Sequence, residues 1–370
     1  MKKILVVFGT RPEAIKLAPV CIALRKNMQF ETYICNTGQQ RNLAEKTLSF
    51  FALKSDFNFD VMQDNQSLDA LQARLLEKFS DLLSKYRFDA FIVQGDTMSA
   101  FCGALSGFNN KIPVFHIEAG LRSCSLSEPF PEEGLRQMLS RIASLHFAST
   151  EVAKMNLIRE NIAEQMISVT GNTVIDALCS FTPERNSEAE KDLQKSGVNL
   201  EKKKVLITVH RRENHGERLD RILDAVQKIA KQFPEHQFII PVHPNPAVKN
   251  NVMRKLAAYE NILLLPSLDY PQLCYLMKDS VLILTDSGGI QEEAPTFGTP
   301  LIVLREKTER NEGVEKGCAI LAGTEPEKIF TLARHYLQQT EKKHSIPNPY
   351  GDGNAAGKIV KRIISFFGEV

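Results

Sequence analysis

Apolar and polar positions recur along this chain with two different spacings. Short unbroken apolar runs, such as Ile4 to Phe8, alternate with longer stretches whose apolar residues return every three or four positions. The first pattern reads as a parallel strand buried on both faces, the second as a helix packed over it. In the first half, strands are predicted over 4–8, 32–36, 90–94, 113–117, 145–148 and 167–170. Helices are predicted over 12–27, from the helical spacing of Ile15, Leu17, Val20 and Leu24, and over 67–86 and 172–181. Residues 182–204, rich in Glu, Lys, Ser and Asn, read as a domain connection. The alternation then restarts, with strands over 205–209, 238–242, 262–265, 281–284, 301–304 and 319–322 and helices over 218–232 and 326–339. A loop over 345–354 leads to a final amphipathic helix, about 355–370, a candidate to cross back to the first half.

Strands alternating with helices of this length predict an α/β fold with doubly wound parallel sheets. Because the pattern occurs twice, the expectation is two Rossmann-like domains, 1–181 and 182–354, facing a cleft. In open α/β sheets ligands bind beyond the carboxyl ends of the strands, so the loops after strands should carry the chemistry.

Composition narrows the class. At 370 residues with 43% hydrophobic and 24% charged residues, the chain resembles an ordinary globular enzyme of two domains. A net charge of +2 gives no reason to expect nucleic acid or an anionic membrane as partner. The seven cysteines form no C-x-x-C pair and suit free thiols in a reducing compartment. The apolar run after Lys2-Lys3 is too short for a secretion signal, and no segment nears the roughly 18 apolar residues of a membrane span. The cytoplasm is therefore the expected compartment.

The most informative stretch runs from Val281 to Pro300, where an apolar strand enters Thr285-Asp286-Ser287-Gly288-Gly289 and then a helix with Glu292 and Glu293. Paired glycines permit a sharp turn, and the unpaired N–H groups opening a helix attract phosphate. Glu293, one turn in, is placed to reach a ribose diol. The plainer alternative is a tight βα turn with solvated acids. Arg11 and Lys16 lie at another helix start, in F-G-T-R-P-E-A-I-K, and suggest an anion there; two solvated cations would look the same. This loop lacks the G-x-G-x-x-G dinucleotide fingerprint.

Gln94-Gly95-Asp96-Thr97 puts a carboxylate at a strand end, suited either to proton transfer or to a helix cap. In His116-Ile117-Glu118-Ala119-Gly120, strand alternation puts His116 and Glu118 on the same side. Pro131-Glu132-Glu133 opens a helix with acids, which the helix dipole favours in any case. Asp96, Glu118 and Glu132 on adjacent loops nevertheless form a set, since crowded carboxylates raise one another's pKa and keep an acid protonated. In the second half His210 and His243 end successive strands, with no metal-ligand spacing. Arg310, in Thr308-Glu309-Arg310, is placed to close on the diphosphate, or is a surface Arg among glutamates.

Taken in order, these motifs closely resemble the non-hydrolysing UDP-N-acetylglucosamine 2-epimerases. The match includes F-G-T-R-P-E-A-I-K (8–16), Q-G-D-T (94–97), H-I-E-A-G-L-R-S (116–123), P-E-E (131–133), T-G-N-T-V-I-D-A-L (170–178), H-R-R-E-N (210–214), D-S-G-G-I-Q-E-E-A-P (286–295) and T-E-R (308–310). The resemblance implies a GT-B type fold, a homodimer, and no NAD or metal cofactor. It implies UDP binding by Arg11, Lys16, His210, Ser287, Gly288, Gly289, Glu293 and Arg310. Asp96, Glu118 and Glu132 become the acid/base carboxylates, with His210 assisting. UDP would leave C1 as the C2 proton is removed, giving a 2-acetamidoglucal to which UDP re-adds. The resemblance further implies a second UDP-N-acetylglucosamine bound as activator, by Gln39, Arg74, Glu133, Arg211 and His243. The chain departs from the family pattern at Gln40, where His is usual, and at Leu135, where Asn is usual. Alternatives are an epimerase of UDP-2,3-diacetamido-glucuronic acid, a hydrolysing UDP-N-acetylglucosamine 2-epimerase, and a GT-B glycosyltransferase.

Overall fold

The computed structural model describes residues 1–40, 42–63, 65–181, 183–339 and 346–368. The chain forms two compact units: Met1–Cys179 with Tyr350–Val370, and Ser180–Pro349.

The first unit is built on strands β1 (Lys2–Phe8), β2 (Phe30–Asn36), β3 (Phe57–Asn58), β4 (Ala90–Gln94), β5 (Val114–Ala119), β6 (Leu145–Ala148) and β7 (Ile167–Val169). They form one parallel sheet in the order β3-β2-β1-β4-β5-β6-β7. The chain reverses direction across the sheet between β1 and β4, so the loops after these two strands open at a topological switch point. Ser67, Thr97 and Thr150 cap the helices Leu68–Lys85, Met98–Asn109 and Glu151–Arg159, each accepting a first-turn N–H. Phe79 of helix Leu68–Lys85 packs into the core that also holds Phe91 and Val93 of β4.

The second unit has β8 (Lys204–Thr208), β9 (Gln237–Pro241), β10 (Ile262–Leu265), β11 (Leu282–Thr285), β12 (Leu301–Val303) and β13 (Ile320–Leu321). Their order, β10-β9-β8-β11-β12-β13, puts its switch point between β8 and β11. Both sheets are α/β and parallel throughout, and Leu219, Ile222, Val226 and Ile229 of helix Glu217–Gln232 pack into the second core.

Two elements differ from the sequence expectations. Residues 182–204 are not simply a connection: they contain the helix Pro183–Lys195. Its apolar side is small, but Ala189 and Leu193, with Val198 just beyond, are buried. The edge strand Phe57–Asn58 was not anticipated, being too short to show as an apolar run. Thr182 and Ser345, at the predicted ends of the connection and of the tail loop's start, lie outside the described residues. The terminal helix Ala355–Gly368 belongs to the first unit. Asp176 accepts the N–H groups of Ala355 and Ala356 at 3.1 and 2.8 Å, and Phe366 packs edge-on against Phe115.

Candidate active-site residues in each unit

In the first unit, the loop after β1 is held from below by a carboxylate that the sequence reading quoted without assigning a role. Glu13 is buried and accepts from Gly9 N, Thr10 N, Thr10 Oγ1 and Thr97 Oγ1 at 3.1, 2.8, 2.7 and 2.7 Å. Burial lifts its pKa to about 7 against the pull of those four donors. Gly9 must be glycine: a Cβ there would lie 2.1 Å from Ser99 Oγ and 2.3 Å from Thr37 Oγ1. These contacts join the loops after β1, β2 and β4. Arg11 donates its backbone N–H to Gln40 Oε1 at 2.8 Å, so the unusual Gln40 helps shape the helix start. Arg41 lies outside the described residues.

Lys16 is buried and ion-paired with Glu118. Glu118 also accepts from Gln94 Nε2 at 2.8 Å. The expectation that His116 and Glu118 alternate regularly fails, because the register of β5 against β6 shifts between Ile117 and Ala119 and Glu118 has φ +63°. A bulge re-aims the side chain that follows it. His116 lies inside the sheet layer with Nε2 2.8 Å from Gly95 O, and burial pushes its pKa down to about 4. A carbonyl can only accept, so Nε2 carries the proton. His116 is a neutral structural group.

Asp96 meets Arg136, whose Nε and Nη2 both reach its Oδ2 at 2.7 Å. Arg136 Nη1 reaches Glu133 Oε2 at 3.2 Å. Burial opposes the charge of Glu133, but Ser123 N–H, Gln137 and Arg136 outweigh it and hold its pKa below the ordinary value. Glu132 is half-buried, and its Oε2 has no hydrogen-bond partner among the described residues. Gln39 accepts from Ser99 Oγ at 2.8 Å. Arg74 pairs with Gln66, while its Nε is buried with no partner among the described residues. Leu135, at the position where Asn is usual, lies in the core.

In the second unit the organising group is Asp286, fully buried at the end of β11. It accepts from His210 N at 3.0 Å, Arg211 N at 2.9 Å and Asn214 Nδ2 at 3.0 Å, tying the loop after β8 to the switch point. His210 Nδ1 stands 3.5 Å from Asp286 Oδ1. Burial lowers the pKa of His210; Asp286 opposes this, while Arg211 and His243 reinforce it. The rings of His210 and His243 stack, centroids 5.9 Å apart.

The six-residue helix Gly288–Glu293 starts where two guanidinium groups converge. A Cβ on Gly288 would lie 2.9 Å from Arg310 Cζ and 3.1 Å from Arg211 Nη2. Arg310 donates to Glu292 at 3.0 Å and pairs with Glu309; Arg305 in turn pairs with Glu309 at 3.0 Å and with Glu213 at 2.5 Å. Burial works against the charge of Glu309, yet Arg310 and Arg305 pull its pKa down to about 2. Glu293 is buried, with Oε1 3.9 Å from the Cβ position of Gly289, and Ser287 is half-buried at the helix start. Arg211 and His243, expected at a separate activator site, thus stand among the residues expected to hold UDP.

Of the predicted residues, the first unit brings together Lys16 with Glu118, and Asp96 with Glu133 through Arg136. The second brings together His210, Arg211, His243, Gly288 and Arg310. Sequence reasoning missed Glu13, Arg136 and Asp286 as supports. The i, i+3 spacing of Glu133 and Arg136 signals their own pairing, but nothing local connects Arg136 with Asp96. Among the described residues, no helix is long and apolar enough to cross a membrane.

The family model for UDP-N-acetylglucosamine 2-epimerase matches residues 22–364. The UDP-N-acetylglucosamine 2-epimerase of Neisseria meningitidis is 42% identical over 368 residues, covering 98% of this chain and 99% of the relative. That of Bacillus subtilis is 41% identical, covering 99% and 96%. The solved Neisseria meningitidis UDP-GlcNAc 2-epimerase bound to UDP-GlcNAc superposes with a TM-score of 0.90 at 40% identity, covering 98% of this chain and 100% of that one. A Methanocaldococcus jannaschii UDP-GlcNAc 2-epimerase in complex with UDP-GlcNAc and UDP gives 0.84 at 34% identity, covering 98% and 99%. Its two parallel sheets, the loops at their switch points and this full-length similarity place the chain in the UDP-N-acetylglucosamine 2-epimerase family.

Proposed function

We propose that this protein interconverts UDP-N-acetylglucosamine and UDP-N-acetylmannosamine reversibly, without hydrolysis. A base takes the C2 proton, the C2–H electron pair forms the C1–C2 double bond, and UDP leaves C1 with its own pair. The resulting 2-acetamidoglucal takes UDP back at C1 and a proton on the opposite face of C2. Asp96, Glu118 and Glu132 serve as acid and base, with His210 assisting. Arg11, Lys16, His210, Ser287, the Gly288-Gly289 backbone and Arg310 hold UDP, and Glu293 takes the ribose. Positioned cations stabilise the departing dianion where its charge develops.

The observation that carries this reading is the set of carboxylates at the strand ends of the first unit, with Asp96 and Glu118 each against a cation. Nucleotide binding alone has no use for them, whereas proton removal and return at one carbon requires both an acid and a base. We also infer a cytoplasmic homodimer, and a second UDP-N-acetylglucosamine acting as activator through Gln39, Arg74, Glu133, Arg211 and His243. Their test is the mass in solution by light scattering and a sigmoidal dependence of rate on substrate.

The reaction is tested by incubating the purified protein with UDP-N-acetylglucosamine and following sugar and phosphate by NMR. UDP-N-acetylmannosamine should appear until a constant ratio is reached, from either sugar. Free N-acetylmannosamine accumulating in step with UDP would contradict the non-hydrolysing reaction.

A further inference from the structure

Proton transfer requires a carboxylate that is aimed as well as present. Asp96 sits in a tight turn, directly after Gly95 with its φ of +71°, and its side chain is about a quarter exposed (24%). Among the described residues, both donors that reach it come from Arg136, on helix Glu132–Ile142, and both end on Oδ2 at 2.7 Å. Arg136 is itself 6% exposed. Its remaining terminal nitrogen holds Glu133 Oε2 at 3.2 Å, and Glu133 is fully buried. Glu133 is fixed in turn by Ser123 N–H at 2.9 Å and Gln137 Nε2 at 3.1 Å. Rotating the guanidinium away from Asp96 would disturb its pair with a buried carboxylate and leave that charge less compensated. His116 is buried with Nε2 on Gly95 O, and Arg122 is bonded to Glu160 at 2.6 and 2.8 Å.

We propose that Arg136, anchored by Glu133, is a positioning residue that grips Asp96 by Oδ2 and leaves Oδ1 as the oxygen that exchanges the C2 proton. This role rests on the epimerase reading of Asp96. When Oδ1 takes the proton, the C2–H pair passes into the C1–C2 bond and UDP leaves; when it gives one, the flow reverses. Holding one oxygen by a planar fork fixes the direction of the other, which a single donor on a flexible stem does less well.

The test compares Arg136→Met, Arg136→Lys and Glu133→Gln with the wild-type protein. The readouts are kcat at saturating substrate from pH 5 to 9, UDP Kd by calorimetry, and melting temperature. Arg136→Met is expected to lower kcat by about 100-fold or more, as misplacement of a reacting group does. Arg136→Lys should recover about tenfold of that loss, because one charge–charge contact survives. Glu133→Gln, which loosens the anchor and keeps the fork, should lower kcat by about tenfold. UDP Kd should stay within about threefold in all variants. Folded Arg136→Met with unchanged kcat would overturn the role. Should that variant not fold, unchanged kcat in both Arg136→Lys and Glu133→Gln overturns it equally. A wild-type protein unable to epimerise would overturn the epimerase reading and this role with it; an active wild type with indifferent variants overturns the role alone.

Discussion

Replacing Gly288 by alanine puts a methyl group where two guanidinium groups now crowd the backbone. The new Cβ would lie 2.9 Å from Arg310 Cζ and 3.1 Å from both Arg310 Nη1 and Arg211 Nη2. Carbon atoms in good contact stand about 3.5–4.0 Å apart, so Arg310 must withdraw by roughly half an ångström or more. It cannot do so freely, because Nε and Nη2 are held on Glu292 at 3.0 Å and Nη1 on Glu309. If this is where the diphosphate is gripped, the loss is that of one charged hydrogen bond, about 1.5–3 kcal/mol, or about 10- to 100-fold in UDP affinity. Alanine is also a better helix former than glycine by up to about 1 kcal/mol, so the melting temperature should hardly fall. Calorimetric titration with UDP against a parallel thermal melt separates the two effects. Gly289→Ala, whose Cβ meets only Glu293 Oε1 at 3.9 Å and Ser287 Oγ at 4.0 Å, should lose less. A Gly288→Ala protein that binds UDP as tightly as wild type would refute the placement of the diphosphate beside Arg310.

Three further outcomes are expected. Glu13, with its pKa raised from 4.5 to about 7, binds its proton more tightly folded than unfolded, so its contribution to stability is lost as pH rises through that window. The loss is up to about 3 kcal/mol, and Glu13→Gln should gain melting temperature relative to wild type between pH 5 and 8; a flat difference argues against it. Asp286→Ala orphans the N–H groups of His210 and Arg211 and the amide of Asn214, so stability should fall by about 2–4 kcal/mol in urea unfolding, and UDP should bind more weakly. Asp96→Asn and Glu132→Gln should each reduce turnover by about 100-fold or more with nearly unchanged UDP Kd, and collapse of UDP binding instead would make them binding groups.

The fold was largely legible because strands buried on both faces announce themselves as unbroken apolar runs: β4, β6 and β10 coincide with the predicted 90–94, 145–148 and 262–265. What was hidden had a weak or long-range signal. The helix Pro183–Lys195 buries little more than Ala189 and Leu193, and its charged residues read as linker. Glu118 left the alternation because of a bulge, a backbone event with no local marker at that residue. The loops were legible as motifs, but their supports were not. Arg136 reaches Asp96 from 40 positions away, and Asp286 organises His210 and Arg211 from 76 and 75 away. Such contacts exist only once the sheets have assembled.

In the proposed reaction the C2–H bond is broken and remade while UDP is held. Its most direct test is incubation with UDP-N-acetylglucosamine in D2O, following C2 by NMR. Deuterium is expected at C2 in UDP-N-acetylmannosamine and, as the reaction reverses, in UDP-N-acetylglucosamine, with the UDP-sugars intact. Epimerised product that retains the original C2 hydrogen, or no exchange at C2, would contradict it.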